Sequence, residues 1–282
     1  MTAGFVSFCP SLLAHGALAT PDIYLTAGMI GALWAFDWLL RKPGWAPALA
    51  LGFAMGAASL CKFTGLLLFG ILPAVALGLY AWQPVGRRAA ESAPWAFSRR
   101  TWLWGACAVA FGIVVINAGY LFDGSLTLLG RYPFQTKPFQ SLQNLLPGWL
   151  PVPLPYYYFL GWDVQLGEEH YLSYLLGQLR EGGFPHYYVV GLLVKTPCPI
   201  LALATLAWLC GGLPTRREVP MLVTAAALLA FFSLGSHKNI GVRYVLFLFP
   251  LMGVWIGRLT CAKLWKTRHQ PQLALAVGAA AL

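Results

Sequence analysis

Long apolar runs separated by short polar breaks occupy most of the chain. Bounded by charges, Pro or Gly, they cover residues 4–19, 23–40, 45–61, 66–82, 102–122, 188–212, 221–235, 244–262 and 273–282. The interior runs approach the roughly 20 residues that carry a helix across bilayer hydrocarbon, where every backbone polar group must be paired within its own segment. The pattern predicts an all-α polytopic membrane protein with about 8–9 transmembrane helices. Pro10 and His15 interrupt the first run and 221–235 is short. A tilted or partly buried helix is expected at each.

The polar breaks give an orientation. Alternate loops lie on the same face of a membrane, and the cytoplasmic face collects Lys and Arg. One set of loops and span ends holds Arg41, Lys42, Arg87, Arg88, Arg99, Arg100, Arg216, Arg217, Arg258, Lys263, Lys266 and Arg268, with the loop acids Glu91 and Glu218. The other holds Lys62, Arg131, Lys137, Arg180, Lys195, Lys238 and Arg243, mixed with Asp22, Asp123, Asp163, Glu168, Glu169 and Glu181. The first set reads as cytoplasmic, which puts the amino terminus inside.

One break is much longer than the others. Residues 1–282 read as a single transmembrane domain, with 123–187 as an extracytoplasmic, aromatic-rich loop inside it. The loop carries PGWLPVPLP (147–155), PYYYFLGWD (155–163) and EEHYLSYLLGQ (168–178), a composition unlike that of disordered chain. Tyr and Trp favour the membrane interface. The loop is therefore expected to lie along the outer surface, with 170–179 as a short amphipathic helix. It is either a lid over an interfacial site or a plain aromatic belt.

Composition agrees: 59% of residues are hydrophobic and only 10% charged, against about a quarter charged in soluble domains. The net charge of +10 needs no nucleic acid, because anionic headgroups on the cytoplasmic leaflet are a sufficient partner. Six cysteines, at 9, 61, 107, 198, 210 and 261, fall in or beside apolar runs without C-x-x-C spacing, and read as small buried residues. The chain starts almost inside its first run and ends within another, AVGAAAL. Both ends read as cut.

Candidate chemistry begins at LAHGALATPDIYLTAG, residues 13–28, where Asp22 stands alone among apolar residues. An ion in hydrocarbon is interfacial, partnered or functional. Thr20 as N-cap, Pro21 at the first helical position and Asp22 in the first turn account for it as a helix-capping acid at the outer interface. At the same end of other spans stand Lys62, Lys195, His237, Lys238 and Arg243, which snorkelling explains one at a time. Together they suit an anionic lipid headgroup. Glu168, Glu169 and His170 are adjacent and cannot all face one ion on a helix.

These residues carry a resemblance. P-x4-H-x3-ATPD (10–22), ASLCKFTGLLLF (58–69), HYYVVGLLVKTPCP (186–199) and GSHKNIGVRYVLFLFP (235–250) resemble, in order and topology, the polyprenyl-phosphate-dependent glycosyltransferases of the GT-C fold. Family 39 is the nearest group, with its protein mannosyltransferases and lipid A aminoarabinose transferase. The resemblance implies a GT-C-like bundle in the plasma (inner) membrane. Its enzyme moves a sugar from a polyprenyl-phosphate donor to an extracytoplasmic acceptor: protein, lipid or glycan. Asp22 matches the family's second acidic position, Lys62 the Lys of its "TK" turn with Cys61 in place of Thr, and Arg243-Tyr244 its RY.

The family's principal acid lies in a first external loop, for which nothing before residue 4 leaves room. The chain thus resembles a fragment lacking about two helices and that loop, inactive alone. On this reading Asp22 is a supporting catalytic acid, and Lys62, Lys238, Arg243, Lys195 and His237 bind the donor phosphate. Asp22 can position the acceptor or a divalent metal, although no ligand cluster supports a metal, and no other cofactor is assigned. The partners are the donor, the acceptor and membrane lipids. A multi-pass transporter or a non-catalytic membrane scaffold is the alternative, although no internal repeat is found and the charges gather at span ends rather than midplane.

Overall fold

The computed structural model describes residues 2–18, 20–82, 95, 97–167, 172–211, 214–215, 218–235 and 239–261. In chain order the helices are α1 (Thr2–Phe8), α2 (Pro10–Gly16), α3 (Asp22–Arg41), α4 (Trp45–Cys61), α5 (Leu67–Ala81), α6 (Arg99–Gly119), α7 (Lys137–Leu145), α8 (Tyr156–Gly167), α9 (Tyr187–Lys195), α10 (Cys198–Gly211), α11 (Val219–Ala230), α12 (Leu248–Ile256) and α13 (Arg258–Cys261). A two-stranded hairpin, β1 (Leu172–Leu175) with β2 (Gln178–Glu181), stands between α8 and α9.

Among the described residues, three segments can each cross a membrane by length and composition: α3, the continuous stretch Phe63–Ala81 and α6. At 1.5 Å per residue the 20 residues of α3 reach about 30 Å. The expected 188–212 run is a broken one, since α9 and Cys198–Cys210 meet at 109°. Pro197 and Pro199 lack the N–H groups that a continuous helix needs there. Counting that pair as one span gives four. Helix α4 and the stretch Val219–Gly235 are apolar but shorter.

The other expected spans divide or leave the described residues. Run 4–19 breaks at Cys9, where Pro10 starts a second short helix. Run 244–262 holds a 3-10 turn over Val242–Val245 and then α12 and α13. Run 273–282 lies outside the described residues, as do Arg87, Arg88, Arg216, Arg217, Lys263, Lys266 and Arg268.

Helices α3, α4 and α6 pack most tightly, and glycine is the reason. A Cβ on Gly52 would stand 2.4 Å from the Ala108 carbonyl oxygen, and one on Gly56 2.6 Å from Val115 Cβ. This G-x-x-x-G pair lets α4 and α6 approach backbone to backbone, the small-residue packing by which helices associate in lipid. The core beside it is built from Met29, Phe36, Leu40, Met55, Leu68 and Leu72, all buried. Ser98 starts α6 through a reciprocal capping box with Thr101.

The loop after α6 has its own small core. Leu129, Tyr132, Phe134, Phe139, Val152 and Phe159 form a separate buried cluster. Asp163, fully buried, ties it together. Its carboxylate accepts the Gln135 N–H at 2.7 Å, the Thr136 N–H at 3.1 Å and the Thr136 hydroxyl.

Two expectations are overturned here. Of the amphipathic helix expected at 170–179, the described residues 172–179 belong instead to the β1–β2 hairpin, because Leu176 and Gly177 take positive φ of 48° and 87°, the pair of left-handed residues that a tight hairpin turn demands. Cys107, Cys198 and Cys210 are exposed rather than buried. They sit on outward faces of apolar helices, where a thiol behaves as a small hydrophobe.

Candidate functional site

The site is assembled from span ends. Asp22 opens α3 and is 2% exposed. The expected N-cap is absent: Pro21 takes the cap position with helical backbone and no side-chain cap bond, and the Thr20 hydroxyl oxygen is buried without a hydrogen-bond partner among the described residues. Thr20 therefore does not cap α3, while Asp22 does stand in its first turn, where the helix dipole favours an anion.

Its partner comes from α4. That helix ends at Cys61, and Lys62 is extended, with φ −161° and ψ 142°. The chain then turns sharply through the 3-10 residues Phe63–Leu66. The turn closes because Gly65 lies on the last turns of α4, where a Cβ would stand 2.5 Å from the Ala58 carbonyl carbon. On the other side of α4, a Cβ on Gly28 of α3 would stand 2.9 Å from Ala58 Cβ. Ala58 is thus the contact point that brings the two helix ends together. Lys62 Nζ donates to Asp22 Oδ1 at 2.8 Å, with the lysine side chain 20% exposed.

A third segment closes over the pair. Lys62 Nζ lies 4.0 Å from the centre of the Tyr244 ring, a distance at which the ring face attracts a cation. The Arg243 guanidinium carbon lies 5.6 Å from the same ring. Arg243 Nε is buried without a hydrogen-bond partner among the described residues. Just before it, Gly241 has φ +83°, and its N–H is taken by the Tyr187 hydroxyl at 3.0 Å. A Cβ there would stand 3.9 Å from Lys195 Nζ, so the exposed Lys195 at the end of α9 adjoins the turn that carries Arg243.

Of the six expected site residues, Asp22 and Lys62 are in direct contact, Arg243 shares the Tyr244 ring with Lys62, and Lys195 borders them. His237 and Lys238 lie outside the described residues, as do Glu168, Glu169 and His170. Among the described residues no group of three or more His, Cys, Asp or Glu could hold a metal ion.

Sequence reasoning missed the role of Tyr244, which it took only as the second letter of a motif. It also missed how α8 seats the loop on the site. The Tyr158 hydroxyl donates to the Ser59 carbonyl at 3.1 Å. Its ring stands 5.1 Å from that of Phe63 and 5.6 Å from that of Tyr120. A Cβ on Gly161 would stand 3.0 Å from Phe63 Cζ. The aromatic density of PYYYFLGWD was the available signal, and it names no partner. Burial pushes the Tyr158 phenol far above the ordinary tyrosine range.

Chemically, Lys62 neutralises Asp22, leaving Arg243 and Lys195 as excess cations on one side of the pair. Such an arrangement suits an anion brought beside a carboxylate. No family model, no curated protein and no solved structure matches the chain.

Proposed function

We propose that the protein is a membrane glycosyltransferase that moves a sugar from a polyprenyl-phosphate donor to an acceptor on the extracytoplasmic face of the plasma membrane. The observation that carries this reading is the buried Asp22–Lys62 contact beside the unpartnered Nε of Arg243. Four segments far apart in sequence contribute Asp22, Lys62, Lys195 and Arg243 to one neighbourhood.

On this reading the donor phosphate lies against Arg243 and Lys195, with His237 and Lys238 as further ligands. Lys62 is not free to serve the phosphate alone. Held between Asp22 and Tyr244, it fixes the carboxylate and adds its charge to the field. The cations stabilise negative charge as the anomeric carbon parts from the phosphate oxygen, which is the electrostatic contribution such a step needs. Asp22 assists by orienting the acceptor hydroxyl.

The test is transfer of radiolabelled sugar from a polyprenyl-phosphate donor, in native membranes that contain the protein. Wild type should consume the donor and Asp22→Asn should lose most turnover while still inserting. An Asp22→Asn protein with full turnover would remove Asp22 from the reaction.

One observation favours a transporter: α9 and α10 form a broken pair, the kind of discontinuity that lines transport sites. Uptake of a labelled solute into vesicles, without consumption of lipid-linked sugar, would support that reading instead.

A further inference from the structure

The chain leaving α6 has a feature that the candidate site does not use. Directly after Gly119 it turns back, and Leu121, Phe122 and Leu126 all take left-handed backbone, with φ of 52°, 60° and 64°. Bulky side chains avoid this region because Cβ crowds the neighbouring carbonyl, and such residues persist only where their surroundings over-determine them. All three side chains are nevertheless exposed, Leu121 to 88%.

The surroundings here do over-determine the turn. The buried Asn117 donates from Nδ2 to the carbonyls of Ile113 at 2.8 Å and Pro153 at 3.0 Å. Its side-chain oxygen accepts the Ser125 hydroxyl, and its backbone carbonyl accepts the Phe122 N–H at 2.8 Å. The Leu126 N–H donates to the Val152 carbonyl at 3.0 Å. A whole polar network holds three large apolar side chains outward. In water that display has no favourable partner.

We infer that the 121–126 turn is a wedge seated in the lipid interface at that end of α6, with Leu121, Phe122 and Leu126 among the acyl chains just below the headgroups. The occupant follows from covalent reach. Leu121 is two residues past the end of a helix long and apolar enough to span, which leaves at most about 7 Å of chain between them. The exposed apolar surface continues onto α6 at Val114. Tyr120 and the exposed Asp123 mark the headgroup level, where tyrosine is favoured. Tyr120 also meets Tyr158, so the wedge fixes the height of the loop over the Lys62 turn. The inference rests on α6 being a span and not on the transfer reaction.

The test places nitroxide labels in vesicles of phosphatidylcholine and compares collision with oxygen, which concentrates in hydrocarbon, and with a water-soluble nickel chelate. Single labels at Leu121→Cys and Leu126→Cys are compared with two references. These are native Cys107, exposed near the middle of α6, and Leu145→Cys, exposed on α7. Labels at 121 and 126 should favour oxygen, nearer to Cys107 than to Leu145→Cys. Nickel access as high as at Leu145→Cys would overturn the wedge, and shielding from both reagents would overturn it in favour of a protein partner such as a second copy. Nickel access at Cys107 would remove the span, and the wedge with it, without bearing on which residues hold a phosphate.

Discussion

Lys62 Nζ stands between two groups, 2.8 Å from Asp22 Oδ1 and 4.0 Å from the centre of the Tyr244 ring. A buried pair of this kind contributes little net stability, yet removing one member leaves the other charge uncompensated and costs about 3–5 kcal/mol. Lys62→Met alone should therefore lower the unfolding midpoint in detergent sharply, and Asp22→Asn with Lys62→Met should recover most of the loss. A silent Lys62→Met would mean that the contact does not form. A helix cap gives a different pattern, since Asn caps about as well as Asp.

The glycine under the Lys62 turn makes a second prediction. At Gly65 a Cβ would meet the α4 backbone at 2.5 Å, whereas at Gly70 nothing lies within 4 Å. Gly65→Ala should destabilise by about 1–3 kcal/mol through overpacking. Gly70→Ala, inside α5, should be neutral or gain up to about 1 kcal/mol from helix propensity and reduced chain entropy. Thermal melts of the two variants side by side check this, and equal effects would contradict the close approach.

These residues also mark how far the sequence could be read. Hydropathy located α3, α4, α5 and α6 nearly to their ends, because burial in an apolar medium imposes long uninterrupted helices. It could not locate breaks, which depend on how one proline sits against its neighbours: Pro73 lies inside α5, while Pro10 and Pro197 end their segments. Charge placement put Asp22 and Lys62 at one end of the bundle. That they touch depends on Gly28, Ala58 and Gly65, small residues whose role is invisible until the helices are packed. The hairpin is hidden in the hydropathy pattern because its outward apolar side chains follow one another through a turn, and only the Leu176-Gly177 pair at its tip marks it.

Asp163 should act on the loop alone. Asp163→Ala leaves the buried N–H groups of Gln135 and Thr136 without acceptors, at about 1–3 kcal/mol each. Limited proteolysis should then cut within 123–167 at rates well above wild type, while the main bundle unfolds at an unchanged temperature. Bundle destabilisation of the same size would mean that loop and bundle fold as one unit.

Tyr158 predicts a pH dependence. Burial raises its ionisation above that of the unfolded chain, where tyrosine titrates near ~10. The folded state therefore holds the proton more tightly, and this contribution is fully present below ~10 and lost as pH rises past it. Loop protection from protease should fall between about pH 10 and 11 in wild type, by reference to that value. Tyr158→Phe, which lacks the hydrogen bond to Ser59, should start about 0.5–1.5 kcal/mol less stable and show a flatter profile. Identical profiles would contradict docking through Tyr158.

The cations around Tyr244 are proposed to hold a lipid-linked phosphate. The direct measurement is equilibrium binding of a tritiated polyprenyl monophosphate to the purified protein in detergent, with uncharged polyprenol as reference. Binding should be saturable and specific for the phosphate. Arg243→Lys, which keeps the charge but loses the planar fork, should weaken it by roughly 1–3 kcal/mol, the range for hydrogen bonds to charged groups. Equal binding of phosphate and alcohol, or an Arg243→Lys protein that binds as wild type does, would contradict it.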